Sequence, residues 1–217
     1  MMQQIIKAAS RVLVLAPHTD DAELGCGGTI ARLLRSGVEV HLAAFSTCED
    51  SLPPGAHATQ LRDEFMEAMQ VFGVPEKNLS VFGFRVRHLS SHRQEVLEEI
   101  VKLRKQVDPD VVFLPSGSDL HQDHQVLYSE GIRAFKERTV WGYELPWNHI
   151  RFSAQAFVTL ERSDVETKWE ALKAYKSQLE LKRPYFSWEF VESLARIRGV
   201  QVKAEYAEAF EVVRVKW

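Results

Sequence analysis

Apolar residues along this chain fall into two alternating rhythms. Residues 12–16, 38–45, 79–84 and 111–114 are short runs that are apolar or nearly so, the pattern of parallel strands covered on both faces. Between them the spacing is helical. Ile30, Leu33 and Leu34 predict a helix over 29–36 ending at Gly37. Leu61, Phe65, Ala68, Met69 and Phe72 predict a second, stopped by Gly73 and Pro75. Val96, Leu97, Ile100, Val101 and Leu103 predict a third over 94–106, broken by Asp108 and Pro109. A fourth begins at Gln122 and runs through Val126, Leu127, Ile132 and Phe135, with Asp119 and Gln122 spaced like a capping box.

Beyond it, 140–145 and 156–160 read as strands, Ser163 and Glu166 as the cap of a helix running to about 178, 188–198 as a last helix and 209–215 as a terminal strand. Strand and helix alternating through the first half implies right-handed crossovers and a parallel sheet. The expected fold is α/β: a Rossmann-like, mostly parallel sheet with helices on both faces. Without an internal repeat or a low-complexity linker, a single domain over residues 1–217 is the simpler account.

Composition narrows the partners. A 45% apolar and 26% charged chain is ordinary for a globular protein. A net charge of −3 without a basic stripe gives no support for nucleic acid. Two cysteines, Cys26 and Cys48, exclude a disulfide framework and favour a reducing compartment. Cys26, between glycines, reads as a small packed residue. No apolar run reaches the length of a membrane span, and the first eleven residues lack the pattern of a secretory leader. A cytoplasmic protein is expected, and a homo-oligomer is left open.

The chemistry concentrates at two strand ends. PHTDDAE follows the first strand and PSGSDLHQDH the fourth, and open α/β sheets bind ligands beyond the carboxyl ends of their strands. His121 and His124, three apart, would share one face of a helix. If the two strands are near neighbours, His18, Asp20 and Asp21 face them. Either aspartate could also cap the first helix. Two imidazoles with one carboxylate leave open positions on a metal, the mark of a catalytic site. Zinc suits that set, as do Fe(II) and other divalent ions, and a second carboxylate beside it is the natural general base. The polar loop over 47–58, with Pro53, Pro54 and Gly55, is long enough to be functional.

PHTDDAELGCGGTIA resembles the AHPDDE-x-LGCGG-T-IA signature of the PIG-L (LmbE-like) de-N-acetylases. LHQDH resembles that family's HPDH, and LRDEFMEAMQVFGV its R-x-x-E helix. The similarity is good over roughly the first 140 residues and loose in the C-terminal third. It implies zinc ligands at His18, Asp21 and His124, and a general base at Asp20. It also implies an oxyanion-stabilising or proton-transferring histidine at His121, an imidazole-orienting carboxylate at Asp123 and a substrate-contacting arginine at Arg62. An exposed helix arginine is an equally open reading of Arg62. Thr19 and Ala22 depart from the signature's proline and first glutamate, a place Glu23 could take over.

The implied reaction is hydrolysis of an N-acetylated sugar of the N-acetylglucosamine type to acetate and a free amine. Two other readings stay open. GCGGT, with Glu49 further on, weakly fits a nucleotide-binding α/β protein, and a catalytically inactive carbohydrate-binding relative would keep the fold. Trp141, Tyr143, Trp147, Tyr185 and Trp188 could face a sugar ring or fill the core. His149 could join the pocket or lie on the surface.

Overall fold

The computed structural model describes residues 9–52 and 55–216. Residues 1–8, most of the stretch read as lacking a leader, and Pro53 and Pro54 of the loop lie outside it. Seven strands form one sheet: β1 (Arg11–His18), β2 (Glu39–Ser46), β3 (Leu79–Val81), β4 (Val111–Pro115), β5 (Thr139–Tyr143), β6 (Ala156–Leu160) and β7 (Tyr206–Arg214). Their order is β3-β2-β1-β4-β5-β7-β6. The first five are parallel. β7 runs antiparallel between β5 and β6, so the sheet is mostly parallel, as the apolar runs imply.

The helices are α1 (Asp21–Arg35), α2 (Gln60–Phe72), α3 (Arg93–Val107), α4 (Gln122–Ala134), α5 (Arg162–Leu172), α6 (Lys176–Glu180) and α7 (Trp188–Val200). Side chains of a strand alternate between faces, and β1 divides accordingly. Val12, Val14 and Ala16 join the core beneath α1, α2, α5 and α7, whereas Leu13 and Leu15 join the one beneath α3 and α4. Burial on both faces explains why the run carries no polar alternation.

Three local expectations are corrected. α1 begins at Asp21, with Asp20 at the N-cap position open to either aspartate, eight residues before the apolar spacing from Thr29 shows it, and bends at Cys26 (φ −147°, ψ 26°). Its glycines lie inside the helix because neighbours crowd it: a Cβ on Gly25 would meet Tyr143 at 2.3 Å, and one on Gly28 would meet Leu160 at 2.5 Å. The helix predicted to run to 178 breaks after Leu172, where Tyr175 turns fully into the core. Its capping box is Glu161 with Asp164, not Ser163 with Glu166.

β1 and β4 are adjacent, and they are where the chain reverses its direction of travel across the sheet: β2 and β3 build outward on one side, β5 on the other. Loops leaving two such strands diverge and open a crevice.

Candidate metal-dependent active site

Both polar clusters meet in that crevice. β1 ends in His18, and three residues later α1 starts, so Asp20 and Asp21 are presented together. Asp20 occupies the N-cap position but its carboxylate makes no capping bond. Asp21 folds back, its Oδ2 accepting from the His18 amide at 2.9 Å. After β4, Ser116 to Leu120 lead to His121, the N-cap of α4, whose Nδ1 accepts from the Asp123 amide at 3.2 Å. The capping box expected of Asp119 and Gln122 does not form, because Asp119 bonds instead to the His121 amide and the His124 ring.

Three donor atoms converge. His18 Nδ1 lies 3.0 Å from Asp21 Oδ2, His124 Nε2 3.2 Å from the same oxygen, and the two ring nitrogens are 3.2 Å apart. A tetrahedral zinc at its usual bond lengths separates its ligand atoms by about 3.3 Å, so this trio has the spacing such an ion requires. The opposite edge of each imidazole is held by a carboxylate. His18 Nε2 meets Asp123 Oδ2 at 3.0 Å, and His124 Nδ1 meets Asp119 Oδ2 at 2.8 Å. That is how metal-binding histidines are oriented. His121 brings a third ring within reach, and one nitrogen each of His18, His121 and His124 fall within 4.8 Å of one another. These histidines could hold a metal by themselves, but the set containing Asp21 is the tighter.

The electrostatics divide the carboxylates. Burial and the neighbouring Asp21 charge raise the Asp20 pKa to about 6. Burial works against ionised Asp21 too, yet His124 and His18 hold it well below the usual range. Burial would likewise discharge both histidines, but the Asp21 charge, with hydrogen bonds to Asp123 and Asp119 respectively, lifts His18 to about 9 and His124 to about 10. Burial and those two rings push His121 down to about 4, so it is neutral at physiological pH. With its Nδ1 accepting, its proton resides on Nε2. Asp123 is held low despite burial by His18 and the Arg87 amide, which donates to Oδ2 at 2.6 Å.

A cavity of about 350 Å³ opens over these groups. His18, Asp20, Asp21, His121 and His124 line it. Asp123 lies behind them as a support. Arg62 is exposed on α2 and is not among the cavity residues. Arg87 and Arg183 are there instead, with Trp147, Asn148 and Tyr185. Of the other aromatics, Trp141 and Tyr143 are core. His149 is a structural pin, one nitrogen accepting from the Leu145 amide and the other paired with Ser118.

Glu23 points away from the cavity, fully buried, its Oε1 2.5 Å from the Tyr175 hydroxyl. That hydroxyl also contacts the Thr19 carbonyl at 2.6 Å. A carbonyl only accepts, so Tyr175 donates to Thr19 and the proton in the Glu23 contact belongs to Glu23. Burial, against the Tyr175 hydrogen bond, raises this carboxyl to about 8. The pair ties the HTDD turn to the segment after α5.

The glycine-rich stretch offers nothing to a nucleotide phosphate. The Gly28 and Thr29 amides donate to the Glu208 carboxylate at 3.0 and 2.7 Å, and Lys168 neutralises that carboxylate at 2.8 Å.

The family described as PIG-L, GlcNAc-PI de-N-acetylase, matches residues 13–135. An Escherichia coli (strain K12) protein, "Uncharacterized deacetylase YaiS", is 29% identical over 170 residues, 76% of this chain and 90% of that protein. Diacetylchitobiose deacetylase of Thermococcus kodakarensis is 30% identical over 132 residues, 57% of this chain, which spans only 48% of that relative. Among solved structures, N,N'-diacetylchitobiose deacetylase from Pyrococcus horikoshii superposes with a TM-score of 0.78, covering 98% of this chain and 87% of that one. Its 24% identity makes it evidence of fold alone. With the family match covering more than half of the sequence and including both strand ends that build the site, the chain belongs to the PIG-L family.

Proposed function

We propose that this chain is a zinc-dependent hydrolase that removes the acetyl group from an N-acetylated amino sugar of the N-acetylglucosamine type. Its family and its relatives named as deacetylases support the hydrolytic class. The observation that carries the reading is the convergence of His18 Nδ1, His124 Nε2 and Asp21 Oδ2 beside an uncommitted Asp20.

His18, Asp21 and His124 would hold the metal, with Asp123 and Asp119 fixing the two rings. When bound, the metal supplies Lewis-acid polarisation of an acyl carbonyl and acidifies a water. Asp20, ionised above about pH 6, takes the proton of the attacking water. His121 donates its Nε2 proton toward the oxygen on which negative charge develops, the kind of stabilisation that is usually the largest catalytic contribution. Asp20, then protonated, or His121 gives a proton to the departing nitrogen. Carbon–nitrogen cleavage leaves acetate and the amine.

The test is metal analysis of the purified protein followed by acetate release from a panel of N-acetylated sugars, sugar phosphates and chitooligosaccharides. Stoichiometric metal and acetate release are expected. A protein that binds no zinc and frees no acetate from any member, with zinc, iron or cobalt supplied, refutes the reading.

A further inference from the structure

α1 is two helical segments in one: the break at Cys26 separates the turn that carries Asp21 from the longer run to Arg35. In an unbroken α-helix the amide of Gly28 donates to the carbonyl of Leu24, four residues back. Here a buried ion pair bridges those two groups. The Gly28 amide donates to Glu208 Oε1 at 3.0 Å. Lys168 Nζ donates to the same oxygen at 2.8 Å and to the Leu24 carbonyl at 2.9 Å. The other carboxylate oxygen, Oε2, accepts from the Thr29 amide at 2.7 Å. Lys168 belongs to α5 and Glu208 to β7, so two elements distant in sequence meet at the ladder of a third.

Glycines make room for the pair. A Cβ on Gly27 would meet Lys168 Cγ at 2.8 Å, and one on Gly28 would come within 3.2 Å of Glu208 Oε1. Both charged side chains are buried. As a stabilising device such a pair is a poor choice, because removing two charges from water is costly and apolar residues of similar volume often do as well or better. What apolar residues cannot do is answer a carbonyl on one side of a break and two amides on the other. Gly28 and Thr29 start the longer segment, where unpartnered amides and the positive end of the dipole favour a carboxylate. Leu24 closes the first turn, where a carbonyl favours a cation. The grip reaches the site in one step: Leu24 lines the cavity, and its amide donates to the Asp20 carbonyl at 3.0 Å.

We infer that Lys168 and Glu208 are positioning residues of the proposed active site. Seated at the break in α1, they set the direction of its first turn, and so the place of Asp21 Oδ2 between His18 and His124 and of Asp20 beside them. The inference rests on the metal-site reading and extends it to residues that touch neither metal nor substrate. Without the pair, the Leu24 carbonyl and the Gly28 amide would be left to each other. The break would close, and the first turn would swing toward the axis of the longer segment, taking Asp21 with it.

The experiment measures zinc affinity by chelator competition and the visible absorption of the Co(II)-loaded protein, which reports coordination geometry. Denaturant unfolding of the metal-free proteins accompanies both. The variants are Lys168→Met/Glu208→Met, Glu208→Gln and, for comparison, Arg35→Met. Arg35 ties the last turn of the same helix to the same α5 through Asp164, but lies beyond the break. A protein that stays folded shows its intrinsic Kd whatever its stability, so a pair that merely stabilised would move the unfolding midpoint and not the zinc affinity. The double variant is expected to remain folded. It should bind zinc about tenfold or more weakly, as when outer partners of metal ligands are lost, with shifted Co(II) bands. Glu208→Gln, which keeps one acceptor for the amides, should lose a smaller part, and Arg35→Met should keep the unmodified affinity. Unaltered zinc affinity and Co(II) bands in the folded double variant, or an equal loss in Arg35→Met, overturns the role. Should the double variant not fold, unaltered affinity in Glu208→Gln does so. Zinc affinity that depends on the pair in a protein that frees no acetate upholds the role and removes deacetylation. Acetate release and zinc affinity both unaltered in the double variant do the reverse, and no zinc binding by the unmodified protein removes both.

Discussion

Asp20 and Asp21 are sequence neighbours with opposite electrostatic fates, and that difference yields the sharpest predictions. Asp21 is held ionised between two imidazoles, whereas Asp20 is raised to about 6 and makes no capping bond. Asp20→Asn is expected to keep bound metal by elemental analysis while kcat falls by roughly 10²–10⁴-fold, the usual worth of a positioned base. His124→Ala should lose metal and activity together. A metal-loaded Asp20→Asn protein with unmodified kcat removes Asp20 from its role.

Glu23 makes a separate prediction, on stability. Its folded pKa of about 8 lies above the ordinary glutamic acid value of 4.5, so the folded state favours the protonated form. Its full contribution is present below about 4.5, and stability is lost as pH rises toward about 8, by at most about 1.4 kcal/mol per pH unit in that window. Glu23→Gln keeps a donor toward Tyr175 and cannot ionise. Denaturant unfolding of the metal-free proteins at pH 5 and pH 8 should therefore show the variant gaining on the parent as pH rises; parallel pH dependences would contradict the protonated assignment.

His18, Asp20, Asp21, His121 and His124 were legible in the sequence as one cluster because they follow the buried apolar runs of β1 and β4, where the topology dictates a crevice; which of them would hold a metal was implied only by the family resemblance. Asp119 was legible only as a helix cap, since the residue types that cap helices also brace metal-binding imidazoles, and only the fold decides between the two. Arg183 sits in the irregular segment between α6 and α7, where no periodicity announces its direction. It reaches the cavity solely through tertiary packing.

At the scale of elements, α1 does the most to shape the site. Helical spacing alone placed its start at Thr29, because a glycine-rich stretch has low helix propensity. Packing overrides that propensity: the glycines let the helix approach Tyr143, Lys168 and Leu160 closely, so the Asp20–Asp21 turn sits directly above β1. Gly25→Ala places a methyl group 2.3 Å from Tyr143, a fully buried ring whose hydroxyl donates to the Leu15 carbonyl at 3.1 Å. Overpacking of this kind costs about 1–3 kcal/mol. Chemical denaturation should read a loss in that range, accompanied by weaker zinc binding because the shifted helix carries Asp21. A fully stable Gly25→Ala protein would show that the ring can move aside.

For the whole molecule, the proposed metal site would also be a stability device. Its ligands come from β1, the start of α1 and α4, so an ion bound there ties both sides of the crevice together. A ligand that binds only the native state stabilises by RT ln(1 + [L]/Kd), about 2.7 kcal/mol at a hundredfold excess over Kd. Zinc should raise the Tm, a chelator should reverse the rise, and His124→Ala should abolish it. A Tm indifferent to zinc would contradict a site bridging these elements. No helix among the described residues is long and apolar enough to cross a membrane.

β7 has a consequence for the order in which the protein becomes competent. Glu211, on this last strand, accepts from the Ser116 hydroxyl at 2.8 Å and the Gly117 amide at 2.7 Å, gripping the loop that delivers Asp119 to His124. Every proposed metal ligand has been synthesised once residue 124 emerges from the ribosome, but the clasp that fixes their supporting loop arrives some ninety residues later. The nascent chain thus carries the complete set of proposed ligands well before it can hold them in register, and ion capture is deferred until β7 has been made and paired.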